Sequence, residues 1–232
     1  SASPTTPFRT AGYGVSWNGT QWVAVGSGGN TIAYSADGLQ WTGISTFSFS
    51  EQGNDVAYGK DSSGNGLWVV TGQGGNSIAT STNGQTWTGR GATVFTTQGL
   101  GVTYANNRWV AVGSGGKSIA TSTNGTTWTG LGTSVFTQGN GIRYTNNLWV
   151  ATGQGGNTIA TSVNGTTWIG RGSTVFTTAG RDVLGLTTAE PTIIFTIPLK
   201  NIGDAPFTIV PPTSNSSGAF TYTSSDTSVA TI

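Results

Sequence analysis

One phrase of sixteen residues constrains this chain more than any other feature. It runs from Gly153 to Trp168 and recurs at Gly26–Trp41, Gly72–Trp87 and Gly113–Trp128. A second tryptophan precedes each copy, at Trp22, Trp68, Trp109 and Trp149, and the Trp-to-Trp spacing is 19 residues in all four. The joints recur too: after Trp41, Trp87, Trp128 and Trp168 a phenylalanine follows eight residues later, at Phe49, Phe95, Phe136 and Phe176. A fixed interior with looser joints is the signature of a supersecondary unit repeated in space.

Within each unit the pattern predicts four short strands. The first is Val15-Ser16-Trp17, Val56-Ala57-Tyr58, Val102-Thr103-Tyr104 or Ile142-Arg143-Tyr144, apolar at alternate positions. The second carries the first tryptophan, and a Gly-Gly turn follows it. The third begins at Ile32, Ile78, Ile119 or Ile159. Asp37-Gly38, Asn83-Gly84, Asn124-Gly125 and Asn164-Gly165 then read as two-residue hairpin turns with positive φ, leading to a fourth strand at the second tryptophan. Four strands in about 41 residues, repeated side by side, fit the blade of a β-propeller. A lone blade cannot bury its faces. Trp22, Trp68, Trp109 and Trp149 are therefore expected between blades, with Trp41, Trp87, Trp128 and Trp168 as further structural residues.

Composition narrows the function classes. Charged residues make up 7% of the chain and the net charge is +1, which excludes a broad nucleic-acid surface. Nine Trp and nine Phe argue against disorder. There is neither Cys nor His, so disulfides, thiolate sites and the commonest general base and metal ligand are all missing, and no cofactor or metal is expected. No apolar run approaches the length of a membrane span. Neither a signal peptide nor an initiator Met is visible, so the chain reads as a piece of a longer product.

Ser35-Ala36-Asp37-Gly38-Leu39-Gln40-Trp41 and Ser122-Thr123-Asn124-Gly125-Thr126-Thr127-Trp128 resemble the Asp-box of sialidase-type, BNR-like propellers, Ser-x-Asp-x-Gly-x-x-Trp. One residue is missing before the Gly, and Asn replaces Asp in three copies. The resemblance covers residues 8–180 and implies a propeller. Because the box is a structural hairpin in that family, it implies no activity. The wording Trp-Val-Ala-Val-Gly-Ser-Gly and Ile-Ala-Thr-Ser-Thr-Asn-Gly is similar to repeat proteins of large DNA viruses of algae and protists and of aquatic bacteria. Phe220–Ile232, with Ser224-Ser225-Asp226-Thr227-Ser228-Val229-Ala230-Thr231, resembles the middle of bacterial-type immunoglobulin-like modules. The roughly 40 residues available are too few for a complete sandwich.

The expected organisation is all-β: a lead-in over 1–7, a four-bladed propeller over 8–180, a linker over 181–190 and an incomplete immunoglobulin-like module over 191–232. The propeller repeats fall at about 8–48, 49–94, 95–135 and 136–175. Arg181-Asp182-Val183-Leu184 also matches Asn54-Asp55-Val56-Ala57, so a fifth first strand begins there in a five-bladed alternative. Strand patterns in the tail are Ile193–Ile197, Phe207–Val210, Phe220–Thr223 and Val229–Ile232.

Residues able to carry chemistry are few. Arg90, Arg143 and Arg171 would bind a carboxylate if they met at a channel mouth. No two acids stand at a spacing that brings them to glycosidase separation. The first-strand aromatics Trp17, Tyr58, Tyr104 and Tyr144 read either as stacking platforms for sugars or as packing between blades. Gln73, Asn76, Gln154 and Asn157, at the Gly-Gly turns, would supply amide groups on the same face as the joints. Asn18, Asn124, Asn164 and Asn215 lie in Asn-x-Ser/Thr triplets. The reading is a non-catalytic, extracellular or virion-surface structural or attachment protein. Its partners would be a surface glycan or other copies joined through residues 191–232, with no nucleic acid and no membrane insertion. The alternatives are a glycan-binding lectin and a sialidase-like glycoside hydrolase.

Overall fold

The computed structural model describes residues 6–47 and 49–183, and the backbone of 193–194 and 213–214. Two compact units divide the chain, 1–185 and 186–232. Among the described residues all regular structure is β.

The first unit contains the four repeats as four antiparallel meanders. Blade 1 is β1 (Phe8–Trp17), β2 (Trp22–Gly29), β3 (Ile32–Ser35) and β4 (Thr42–Gly43). Blade 2 is β5 (Gln52–Lys60), β6 (Gly66–Gln73), β7 (Ile78–Ser81) and β8 (Thr88–Gly89). Blade 3 is β9 (Gln98–Ala105), β10 (Arg108–Ser114), β11 (Ile119–Ser122) and β12 (Thr129–Gly130). Blade 4 is β13 (Gln138–Thr145), β14 (Leu148–Gln154), β15 (Ile159–Ser162) and β16 (Ile169–Gly170). Register repeats with the sequence: Trp22, Trp68, Trp109 and Trp149 pair with Ser35, Ser81, Ser122 and Ser162. Each first strand carries an irregularity beside a glycine, as between Gly53 and Asp55 or Gly139 and Gly141.

The core lies between blades. Val23, Val25 and Ile32 of blade 1 share one cluster with Phe49, Val56, Trp68 and Trp87 of blade 2. Leu67, Val69 and Ile78 meet Phe95, Val102 and Trp109; Val110, Val112 and Ile119 meet Phe136, Ile142 and Trp149. Each large apolar side chain so buried contributes roughly 1.5–3 kcal/mol. First strands stand side by side, β1 on β5, β5 on β9 and β9 on β13, but β13 does not pack on β1 in this way. Four blades therefore make an arc that does not close on itself, and Trp22, expected between blades, is only half-buried while Trp68, Trp109 and Trp149 are sealed.

After Phe176 the chain repeats the joint that opens each blade. Ala179 bridges to Gln154 as Gln98 pairs with Gln73, and Asn140 Nδ2 donates to Gly180 O at 2.7 Å as Asn54 Nδ2 does to Gly99 O. Arg181–Val183 of the expected linker thus repeat the opening of a first strand. Of the expected tail strands, Ile193–Ile194 (β17) pairs antiparallel with Thr213–Ser214 (β18). Phe207–Val210, Phe220–Thr223, Val229–Ile232 and the triplet at Asn215 lie outside the described residues.

The expected Asn-Gly hairpins take another form. Residues 82–87, 123–128 and 163–168 are six-residue loops in which only the glycine has positive φ: 71° at Gly84, 73° at Gly125 and 73° at Gly165. The asparagine acts through its side chain. Asn124 Oδ1 accepts from Thr126 N at 2.9 Å and Thr127 N at 2.8 Å, Ser122 Oγ accepts from Gly125 N at 2.8 Å, and Trp128 Nε1 donates to Gly125 O at 2.9 Å. The positive-φ pairs are instead Asn106-Asn107 and Asn146-Asn147, which join first to second strands. A side chain at Gly125 would also meet Leu67 Cδ2 at 2.5 Å. Gly125→Val should cost roughly 2–4 kcal/mol, from the disfavoured backbone and the clash together. Thr127→Val, on an exposed position of the same loop, should stay within about 0.5 kcal/mol. Equal shifts in chemical-denaturation midpoint would contradict this account of the loop.

Candidate functional site

Where the first strands converge, glycines let the blades approach closely. A Cβ on Gly14 would lie 3.1 Å from Asp55 Cα, and one on Gly141 would lie 2.8 Å from Asp182 Cα. The carboxylate of Asp55 uses that space to join three blades. Its Oδ1 accepts from Val56 N at 2.9 Å and its Oδ2 from Val102 N in blade 3 at 3.0 Å. Arg143 of blade 4 reaches Oδ2 at 3.4 Å, and Arg143 Nη1 also donates to Ile142 O at 2.8 Å. Burial pushes the Asp55 carboxyl above the usual carboxylate range, against the pull of Arg143 and the Val102 and Val56 amides. A buried, perturbed acid beside an arginine is a recognised marker of function, and equally of a structural ion pair.

The three arginines do not converge. Arg90 Nε and Nη2 donate to Thr80 Oγ1 at 2.9 and 2.7 Å, and Arg171 Nε donates to Thr161 Oγ1 at 2.8 Å, all at the outer strands. Arg143 alone stands on a first strand.

Each first-strand aromatic packs, tilted, against its own second-strand tryptophan. Ring centroids are 4.9 Å apart for Trp17–Trp22, 4.8 Å for Tyr58–Trp68 and Tyr104–Trp109, and 4.9 Å for Tyr144–Trp149. Tyr104 also fills the space over Gly59 of the preceding blade, and the Tyr144 hydroxyl accepts from Asn106 Nδ2. The amides are engaged as well. Asn76 Oδ1 accepts from Gly91 N at 2.8 Å, Asn157 Oδ1 from Gly172 N at 2.9 Å, and Asn157 Nδ2 donates to Val135 O at 3.0 Å. Gln73 and Gln154 close the second strands beside the joints and are half-buried. Asp37 and Asp61 hold turns. The amides of Gln40 and Leu39 keep Asp37 below the usual carboxylate range, and that of Asn65 does the same for Asp61. Among the described residues no three acidic side chains gather as a metal site.

Sequence reasoning passed over Asp55, Asn54 and Asn140 as binding elements of the array. The signal was present in Gly53-Asn54-Asp55 and Gly139-Asn140-Gly141, where a polar residue follows a joint glycine. It also passed over two equivalent clefts between blades. One, of about 240 Å³, is bounded by Ser134, Thr166, Thr167 and Trp168; the other, of about 230 Å³, by Arg90, Thr93, Thr126 and Trp128. At the first interface Phe47 stands where Thr93 and Ser134 do, packs into the core there, and Trp87 is buried.

Among solved structures the chain is similar to virginiamycin B lyase from Staphylococcus aureus, at 17% identity and a TM-score of 0.55, over 69% of this chain and 55% of that one. It is similar to YCF48 from Cyanidioschyzon merolae, at 18% identity and a TM-score of 0.52, over 73% and 58%. A GH74 enzyme of Niastella koreensis matches at 22% identity and a TM-score of 0.49, over 71% and 25%. These are β-propeller proteins. The chain has an all-β fold of propeller type. It spans less than two thirds of the length of each of them, and at these identities the likeness establishes fold alone. Propeller neighbours include enzymes and binding proteins alike. No protein-family model and no curated protein matches the chain.

Removing Arg143 leaves the Asp55 carboxylate among blades without its cation. Arg143→Ala should cost roughly 1–3 kcal/mol near neutral pH, discounted for the partial exposure of the pair. The Asp55 carboxyl titrates above its unfolded value, so its contribution to stability is fully present below that value and is lost as pH rises through the folded one. Loss of Arg143 raises the folded value further. The deficit of the variant should therefore grow from acid to neutral pH in urea titrations, and a deficit independent of pH would contradict the ion pair's role.

Proposed function

We propose that this chain is a non-catalytic structural or attachment protein, displayed extracellularly or on a virion surface, that presents an array of propeller-type blades. The observation carrying this reading is that most of the recurring polar and aromatic side chains are already engaged, within their own blade or with the next one. The Asx loops close on themselves, the tyrosines pack on the tryptophan of their own blade, and the Asn54 and Asn140 amides each reach a backbone oxygen of the next joint. The loop at Ser122–Trp128 has the self-contained hydrogen bonding expected of an Asp-box that serves structure. Among the described residues Asp55, the buried acid, faces an arginine and backbone amides and no second carboxylate, where a glycosidase would need a partner acid. In this reading residues 191–232 join the array to a larger assembly.

A second reading, glycan binding, is favoured by one observation: the equivalent clefts beside Trp128 and Trp168 combine an indole with several hydroxyls. The full chain should give no turnover of fluorogenic sialosides or other glycosides. Turnover abolished by Asp55→Asn would overturn the proposal in favour of an enzyme. On a glycan array the chain should show no ligand whose binding is lost in both Trp128→Ala and Trp168→Ala; such a ligand would replace the scaffold reading with the lectin one.

A further inference from the structure

The same two surfaces meet three times within this chain. Each blade has a leading face, turned to the blade before it, which carries the joint Phe, the first-strand Val or Ile and the second-strand Trp. Each also has a trailing face, turned to the blade after it, which carries aliphatic residues of the second and third strands. Two such faces are left without a neighbouring blade among the described residues.

The leading face of blade 1 is open. Val15 is 56% exposed, whereas its equivalents Val56, Val102 and Ile142 are 5%, 1% and 0% exposed. Tyr13 is exposed beside it, and an apolar groove of about 510 Å³ runs along Phe8, Gly12, Val15, Ala24 and Trp41. Gly53 seats in the preceding blade so closely that a Cβ would meet Val25 Cβ at 2.8 Å, while a Cβ on Gly12 would meet no other blade.

The trailing face of blade 4 is half-open. Leu148, Val150 and Ile159 are half-exposed, whereas Leu67, Val69 and Ile78 of blade 2 are sealed. Residues 176–183 lie over its inner end, with Gly180 in the socket formed by Thr158 O and Thr152. They cover it incompletely: Phe176 is 45% exposed, where Phe49, Phe95 and Phe136 are buried.

We propose that the leading face of blade 1 is an interface that receives the trailing face of blade 4 of a second copy. Phe8–Val15 then occupies the place that residues 176–183 hold on that blade. The occupant is identified by continuity with the three interfaces already built in the chain. A leading face takes Val and Ile at the spacing of a second and third strand, and blade 4 bears the one such set still open among the described residues. Among the described residues the chain does not close on itself, because β13 does not pack on β1. The contact is heterologous, one face against a different face, and so propagates from copy to copy. Residues 176–183 act as a competing segment that holds the second face until a partner arrives.

The test uses the full chain and its mass in solution by analytical ultracentrifugation, with circular dichroism verifying that each variant is folded. The unmodified chain should associate as concentration rises. Val15→Asp and Val150→Asp should each be monomeric. A mixture of the two variants should form a one-to-one dimer, since one copy keeps an intact trailing face and the other an intact leading face. Gly180→Val, whose side chain meets backbone 2.7 Å away, should unseat the competing segment and lower the dissociation constant. A monomeric unmodified chain at submillimolar concentration would overturn the proposal. So would association that survives either substitution, which would assign the contact to residues 191–232 or to two leading faces, and so would a mixture that stays monomeric.

Discussion

A tryptophan on the second strand of each blade has one place to go, against the aliphatic residues of the blade before it. Trp68, Trp109 and Trp149 are each sealed in this way, and Phe49, Phe95 and Phe136 are sealed beside them. The blade is too thin to have a core of its own; its apolar residues become core only when a neighbour arrives. Stability in such an array is close to a sum of identical interfaces, which is why the sequence can repeat so nearly without change. The glycines follow from the same constraint. Gly14, Gly53, Gly99 and Gly139 stand where first strands and joints press on the adjacent blade, and a Cβ at these positions would meet it within about van der Waals contact or closer.

Much of this was legible in the residues. The 19-residue tryptophan spacing places four strands per unit, as observed, although the first strands run back into the joints that the pattern leaves outside them. What periodicity does not carry is closure. Four copies of a unit count blades without giving the angle between them, so nothing local separates Val15 from Val56, although one is open and the other buried. The Asn-Gly loops depart from expectation for a different reason. An asparagine can set a turn through its backbone or through its side chain, and the serine two residues before Asn124 selects the second by offering its own oxygen to Gly125.

The site is less legible than the fold. Repetition marks residues that recur, and here recurrence serves structure: the tyrosines pack on the tryptophan of their own blade, and the Asn76 and Asn157 side chains hold nearby turns. Within the four blades Asp55 departs from its repeat, with Gly14, Gly101 and Gly141 at the equivalent places, while Asp182 matches it after the fourth blade. The Asp55 carboxylate does what no repeated residue does, linking blades 2, 3 and 4 through Val102 and Arg143. Single departures from a repeat are where function or a special structural demand enters.

If the inter-blade tryptophan is the unit of stability, its worth must depend on whether a blade precedes it. Urea denaturation of Trp109→Ala and Trp22→Ala, read against the unmodified chain, tests this directly. Trp109→Ala should cost about 3–5 kcal/mol, the range for truncating a sealed aromatic. Trp22→Ala, on the half-buried first blade, should cost less than half as much. Equal losses at the two positions would contradict the account, because they would mean that the tryptophans stabilise their own blades rather than the contact between them.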